Sequence, residues 1–210
     1  MSQVGLRERK KQETRAAIAG VATRLFIAEG FEQVSIAQVA AEAGVAKMTV
    51  TNYFARKEDL VFDLADHIIG QPAAAFAARR PGQSALDALR DAYFAALTAG
   101  DPTVVYSTEA FARLIEDSPT LLAREREIHQ QRETALAAAL AAETGADEHD
   151  ITPRIAAAAL AGALRVLNMD VRRRILSGHD AATTRAGLSD AATTTFALLE
   201  PALGDYAIKA

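Results

Sequence analysis

Residues 35–60 read SIAQVAAEAGVAKMTVTNYFARKEDL, and the way this stretch divides into helices decides the fold. Ser35 followed three residues later by Gln38 has the spacing of a capping box. The hydroxyl accepts from a first-turn N–H, and the amide reaches back to the serine N–H. Ile36, Val39, Ala40 and Ala43 then recur at helical spacing. Gly44 interrupts the pattern and supplies the positive φ of a tight turn. Val45 restarts it, and a short helix is expected over 47–53. Two short helices joined through a glycine make a helix-turn-helix unit.

On the N-terminal side, Ile18, Val21, Ala22, Leu25 and Phe26 mark one face of a helix over about 9–29, ended by Gly30. Val39, Ala40, Val45 and Val50 would form a small core against Leu25 and Phe26. That leaves Lys47, Met48, Thr49 and Asn52 on the free face of the 47–53 helix, polar or flexible side chains able to reach base edges in a major groove. Tyr53 and Lys57 stand at its end, where a phenol and an ammonium can hold backbone phosphates. The plain structural alternative is a helical corner inside a bundle.

On the C-terminal side, Lys57-Glu58-Asp59-Leu60 opens a fourth helix to about Ile69, with Leu60, Leu64 and Ile68 on one face. Prolines beside glycines or capping residues separate further helices near 84–99, 103–115, 119–143, 153–177 and 187–206. Ala73–Arg80 reads as helix or loop, and 145–150 as an acidic loop. No segment alternates with period two over a convincing length. The expected fold is all-α with about nine helices.

Composition agrees. Of 210 residues, 48 are alanine, the best helix former. The absence of cysteine excludes disulfide scaffolds, zinc fingers, iron–sulfur centres and thiol catalysis. No apolar run approaches the roughly 18 residues of a membrane span, and the polar N-terminus has no signal-peptide core. A cytoplasmic protein with no membrane partner is expected. The net charge of −4 is unevenly spread: residues 1–57 carry nine Lys/Arg against five Asp/Glu, so the remainder is strongly acidic. A basic module, 1–57, precedes an acidic one, 58–210.

The run from Ser35 to Leu60, with Ile36, Val39-Ala40, Ala43-Gly44-Val45, Thr49-Val50, Tyr53-Phe54 and Lys57-Glu58, closely resembles the DNA-binding domain of TetR-family transcriptional repressors. Arg15, Ile18, Ala22, Leu25, Phe26, Gly30 and Phe31 resemble that family's first helix. Ala46, Met48 and Thr51 depart from it, standing where the family often has serine, glycine and an aromatic residue. The resemblance implies an N-terminal helix-turn-helix domain, then a C-terminal helical domain that dimerises and binds an effector. It implies a homodimer on a pseudo-palindromic double-stranded DNA operator. The expected DNA contacts are Ser35, Lys47, Met48, Thr49, Asn52, Tyr53 and Lys57.

Dimer helices are expected at 153–177, with the stripe Leu160, Leu164, Leu167 and Val171, and at 187–206, with Leu188, Ala192, Thr195, Leu199 and Leu203. The alternative is that both stripes build the monomer core. Residues expected to line an effector pocket are His67, Tyr93, Tyr106, Phe111 and Asn168, from a wider set that adds Phe62, Phe94, His129 and Met169; they favour a small hydrophobic or aromatic molecule. A ligand that displaced the helix opened at Lys57 would move Lys57 and loosen the hold on DNA. No cofactor or metal is expected. The four histidines are scattered, and Asp63/His67 and Glu125/His129 offer only two ligands each. No P-loop, nucleophile elbow or dinucleotide fingerprint occurs, so an enzyme is not expected. The other function weighed is a DNA-binding regulator or architectural protein without small-molecule control.

Overall fold

A computed structural model describes the backbone of residues 3–104 and 108–210, and side chains from residue 9 onward. Among the described residues there are nine α-helices and no strand. They are α1 (Gln3–Glu29), α2 (Ile36–Glu42), α3 (Lys47–Tyr53), α4 (Ala65–Ala77), α5 (Ala85–Ala99), α6 (Glu109–Glu116), α7 (Pro119–Thr144), α8 (Thr152–Leu176) and α9 (Ala181–Leu203). The all-α expectation is met. The chain forms two compact units. One is Met1–Ala65 with Arg113–Glu125; the other is Asp66–Ala112 with Arg126–Ala210.

In the first unit α2 packs on α1 and α3. Ile18, Ala22 and Phe26 on α1, Val39 and Ala40 on α2 and Val50 on α3 are buried as the spacing expects, while Val21, Leu25 and Val45 are half-buried. Phe26 meets Phe31 edge-on, with ring centroids 5.0 Å apart.

The helix expected from Lys57 to Ile69 is not continuous. Glu58–Leu60 is a single 3-10 turn, and α4 starts only at Ala65. Leu60, Val61 and Phe62 are buried in succession. A helix with one buried face cannot bury three consecutive side chains, so the chain leaves the helical path. Leu64 is exposed, and no stripe joins it to Leu60. Pro72 lies inside α4 and does not separate helices, so the Ala73–Arg80 stretch is helical as far as Ala77. The helix expected from 103 is described only from Glu109. Before it, the Asp101 carboxylate accepts from the Thr103 N–H (2.8 Å) and hydroxyl (2.6 Å), an Asx turn that competes with helix.

In the second unit α9 packs against α5 and α8. Its core gathers Phe76, Leu86, Leu89, Tyr93, Leu136, Leu140, Leu160, Leu167, Val171, Leu188 and Phe196. The α8 stripe of Leu160, Leu167 and Val171 is therefore spent inside this core, with half-buried Leu164 packed against it. It is the monomer-core reading of that stripe that holds. The large apolar side chains α8 exposes are Ile155, Val166 and Met169; α9 exposes Leu198. Buried Arg79 is fixed by Glu143 (2.8 Å), by the carbonyls of Phe76 (2.9 Å) and Ala207 (3.1 Å), and by stacking on the Phe76 ring.

Candidate nucleic-acid interface

The segment that presents α3 is built by short-range chemistry. Ser35 is the N-cap of α2: its Oγ accepts from the Gln38 N–H (3.2 Å), and the Ser35 N–H donates to Gln38 Oε1 (2.8 Å). The Ser35 hydroxyl and N–H are thus engaged in setting the start of α2. Gly44 sits at φ +65°, and the Val45 N–H closes the turn on the Ala40 carbonyl (3.0 Å). The N-cap of α3 is Ala46, which has no side chain to cap with.

Helical geometry, about 100° per residue, sorts the side chains of α3. Val50 and the following Phe54 are buried. Lys47, Met48, Thr51 and Asn52 are exposed on one arc of the helix, and Thr49 and Tyr53 are half-buried at its margins. Met48 is 69% exposed, a large apolar side chain offered to solvent in the middle of a polar face. Thr51 turns its hydroxyl back to the Met48 carbonyl (3.1 Å).

Arg15 fastens the C-terminal end of α3. Its guanidinium donates to the Tyr53 carbonyl, lies over the Phe54 ring at 4.3 Å, and reaches the Asp63 carbonyl at 3.5 Å. Burial pushes the Asp63 carboxyl up from its ordinary value, with Arg15 pulling the other way. Lys57 is not a free arm. Its ammonium donates to the Phe31 carbonyl and sits over the rings of Phe31 (4.4 Å) and Phe26 (5.6 Å). Burial lowers its pKa, and Glu32 and Glu58 oppose the shift. Asp59 pairs with Arg124 at 2.9 Å, both side chains 13% exposed.

Sequence reasoning found the outward face of α3 but gave Arg15 no part in holding it. The available signal was a cation three positions ahead of the buried Ile18, on the half-buried edge of α1.

The residues expected around an effector stand in different environments. His67 is exposed, Phe111 and Asn168 are half-buried, and Tyr106 lies outside the described residues. Tyr93 is buried and its hydroxyl has no hydrogen-bond partner; burial, with a smaller push from the Asp170 charge, raises it to about 12. It borders a cavity of about 20 Å³ shared with Gln71, Pro72, Ala75, Leu89, Ala92, Val104 and Leu164. That is room for one water. Among the described residues no group of three or more histidines and carboxylates could hold a metal, and no helix is long and apolar enough to cross a membrane.

Comparison with known proteins places both parts of the chain. Residues 18–64 match the family of bacterial regulatory proteins named for tetR, and residues 83–203 match the MftR C-terminal domain. The HTH-type transcriptional regulator TcmR of Streptomyces glaucescens is 30% identical over 172 residues, 79% of this chain and 76% of that protein. Among solved structures, Salmonella enterica GusR aligns with a TM-score of 0.55 at 18% identity, covering 91% of this chain and 95% of that one. NalD, the secondary repressor of the MexAB-OprM multidrug efflux pump in Pseudomonas aeruginosa, aligns with a TM-score of 0.53 at 20% identity, covering 88% and 97%. These two share the fold.

Proposed function

The chain belongs to the TetR family of bacterial transcriptional regulators, which bind operator DNA and act as dimers, and from that premise we propose that it is a repressor released from its operator by a small molecule. Residues 1–57 carry the DNA contacts, and residues 58–210 carry dimerisation and effector binding. It acts in the cytoplasm, where its operator lies.

One observation carries the DNA reading. A seven-residue helix, anchored inward by Val50 and at its end by Arg15, offers Lys47, Met48, Thr51 and Asn52 together on its outer face. That is a size and presentation suited to base edges in a major groove. Thr49 and Tyr53 at the margins, and the start of α2 at Ser35, then face phosphates. Lys57 serves chiefly to hold the Phe31 turn. Two such helices in a dimer would read half-sites about 34–36 Å apart, which predicts a pseudo-palindrome. The family's members are typically ligand-responsive repressors, which supports the same sense of control here.

The test is selection of genomic fragments by the full chain, followed by binding at two salt concentrations. A recovered pseudo-palindrome bound with a steep salt dependence supports the reading. Enrichment of no common sequence, or binding indifferent to salt, defeats it. The alternative is control without an effector; an operator complex unmoved by every small molecule in a broad screen would select it.

A further inference from the structure

A second cavity, of about 350 Å³, lies in the second unit between α7 and α8. Its walls repeat one spacing on two helices. Arg126, His129, Gln130 and Glu133 come from α7, and Ala158, Ala161, Gly162 and Arg165 from α8. Each set runs i, i+3, i+4, i+7, which is one face of a helix. The α7 wall is long and polar. The α8 wall is hollow because its residues are small, and a Cβ placed on Gly162 would meet nothing within 4 Å. The volume falls within the range of small-molecule sites.

The unusual group here is His129. Both ring nitrogens are buried and neither has a hydrogen-bond partner. A buried polar group left unpaired costs stability, so such a group calls for an explanation. Burial, with the charges of Arg132, Arg165 and Arg172, lowers its pKa to about 3, so the ring stays neutral at physiological pH. A neutral imidazole keeps one N–H donor and one acceptor nitrogen. The charges that act on it are those of Arg132, Arg165 and Arg172. Arg126 and Arg165 are exposed at the cavity, and neither has an acidic partner among the described residues. Arg132 and Arg172 are buried nearby, and Arg132 donates to the Ala161 carbonyl (3.3 Å). Glu133 is the one acid in the lining.

Guanidinium groups and an unfilled N–H donor together recognise an anion. Glu133 disfavours a dianion such as a phosphate monoester, and the alanine and glycine wall accepts an apolar body. We propose that this cavity binds an organic monocarboxylate, its carboxylate held by Arg126 and Arg165 and by the His129 N–H, its apolar part against Ala158, Ala161 and Gly162. The site names a chemical class for the effector, and rests on the regulator reading only for what binding does to DNA, not for binding itself. The same carboxylate chemistry has a second source, an acidic side chain from another copy of this chain, and the experiment separates the two.

The experiment uses the full chain with isotope-labelled histidine, the His129 ring signals being assigned with His129→Gln. Sodium benzoate and sodium octanoate are titrated, with benzamide as the neutral match to benzoate. The expected result is a saturable shift of the His129 signals with at least one carboxylate and none with benzamide. Arg165→Gln and Arg126→Gln, at exposed positions, should each weaken binding at least about tenfold while the helical signal is unchanged. Gly162→Val, which fills the cavity, should abolish it. Equal shifts with benzoate and benzamide overturn the proposal, as do unchanged affinity in both arginine variants or no saturable shift with either carboxylate. A His129 signal that moves on protein dilution and ignores added carboxylate also overturns it, since the anion is then the second copy's. Because no DNA is present, each of these failures leaves the regulator reading standing.

Discussion

Two helices, α3 and α8, set an exposed face beside a buried one, and they differ in how the sequence encodes which is which. In the seven residues of α3, Val50 is the one aliphatic position among polar and flexible neighbours, and it is the one buried. In the 25 residues of α8 almost every position between Ile155 and Leu167 is apolar or alanine. There Leu160, Leu167 and Val171 go inward, while Ile155, Val166 and Met169 face out. The contrast between positions carries the information, not their apolar content. A helix apolar on several faces needs its neighbours to choose among them. On α8 the large apolar side chains left exposed are Ile155, Val166 and Met169, and the expectation to test is that a second copy covers them.

The sharpest way to break this comparison is a pair of adjacent substitutions with opposite outcomes. Leu167→Asp places an unpaired charge in the core of the second unit and removes a fully buried leucine. It should cost at least about 3–5 kcal/mol and abolish cooperative unfolding. Val166→Asp, one residue away and 54% exposed, should leave the chain folded and convert dimer to monomer in light scattering. If Val166→Asp kept the dimer and its helical signal, the outward face of α8 would not be the dimer surface.

A smaller effect is expected at α3. Lys47→Ala and Asn52→Ala should each cost about 1–3 kcal/mol on the best operator and less on random DNA, because a base contact carries discrimination. Lys57→Ala should act differently. It removes the cation held between the Phe31 carbonyl and two rings, so it should lower thermal stability and weaken all sequences together. Uniform weakening on all sequences in Lys57→Ala with thermal stability unchanged would return Lys57 to the DNA surface as a phosphate contact.

The contrast also explains how much was legible beforehand. Capping by Ser35 and Gln38, the Gly44 turn and the inward Val50 depend on residues within a few positions of one another, and these were readable. The break after Lys57 was not. Its cause is the joint burial of Leu60, Val61 and Phe62, which depends on what the rest of the unit packs around them. Arg15 escaped for a similar reason: its partners, Tyr53 and Asp63, lie 38 and 48 residues away. Where the expected effector residues stand relative to one another was not legible, because aromatic and histidine content carries no information about spacing in the fold. The larger cavity instead depends on a run of small residues on α8 facing a polar edge of α7.

Gly44 gives the next step down in size. At φ +65° an L-residue costs about 1–2 kcal/mol relative to glycine. Space is not the obstacle, since a Cβ there meets nothing within 4 Å. Gly44→Ala should therefore lower the stability of the first unit by that amount, and lower operator affinity only through the tilt it imposes on α3. A neutral outcome in urea unfolding would mean that the turn relaxes to negative φ.

The smallest effects test the two N-caps against each other. Ser35 caps α2 through a complete capping box, and Ala46 stands at the same place on α3 with no side-chain bond, yet both residues are extended, at ψ 158° and 145°. The backbone at Ala46 is therefore already arranged for a cap that the side chain cannot make. Ser35→Ala should cost about 1 kcal/mol by leaving a first-turn N–H of α2 without its partner. Ala46→Ser should return a similar amount, because a serine in that extended conformation reaches an N–H in the first turn of α3. Ala46 is exposed, so the hydroxyl displaces nothing in the core. Measured as urea midpoints of the first unit, the two substitutions should move in opposite directions by comparable steps. If Ala46→Ser gave no gain while Ser35→Ala gave its loss, the start of α3 would be held by packing alone, and the likeness between the two caps would be confined to their backbone angles.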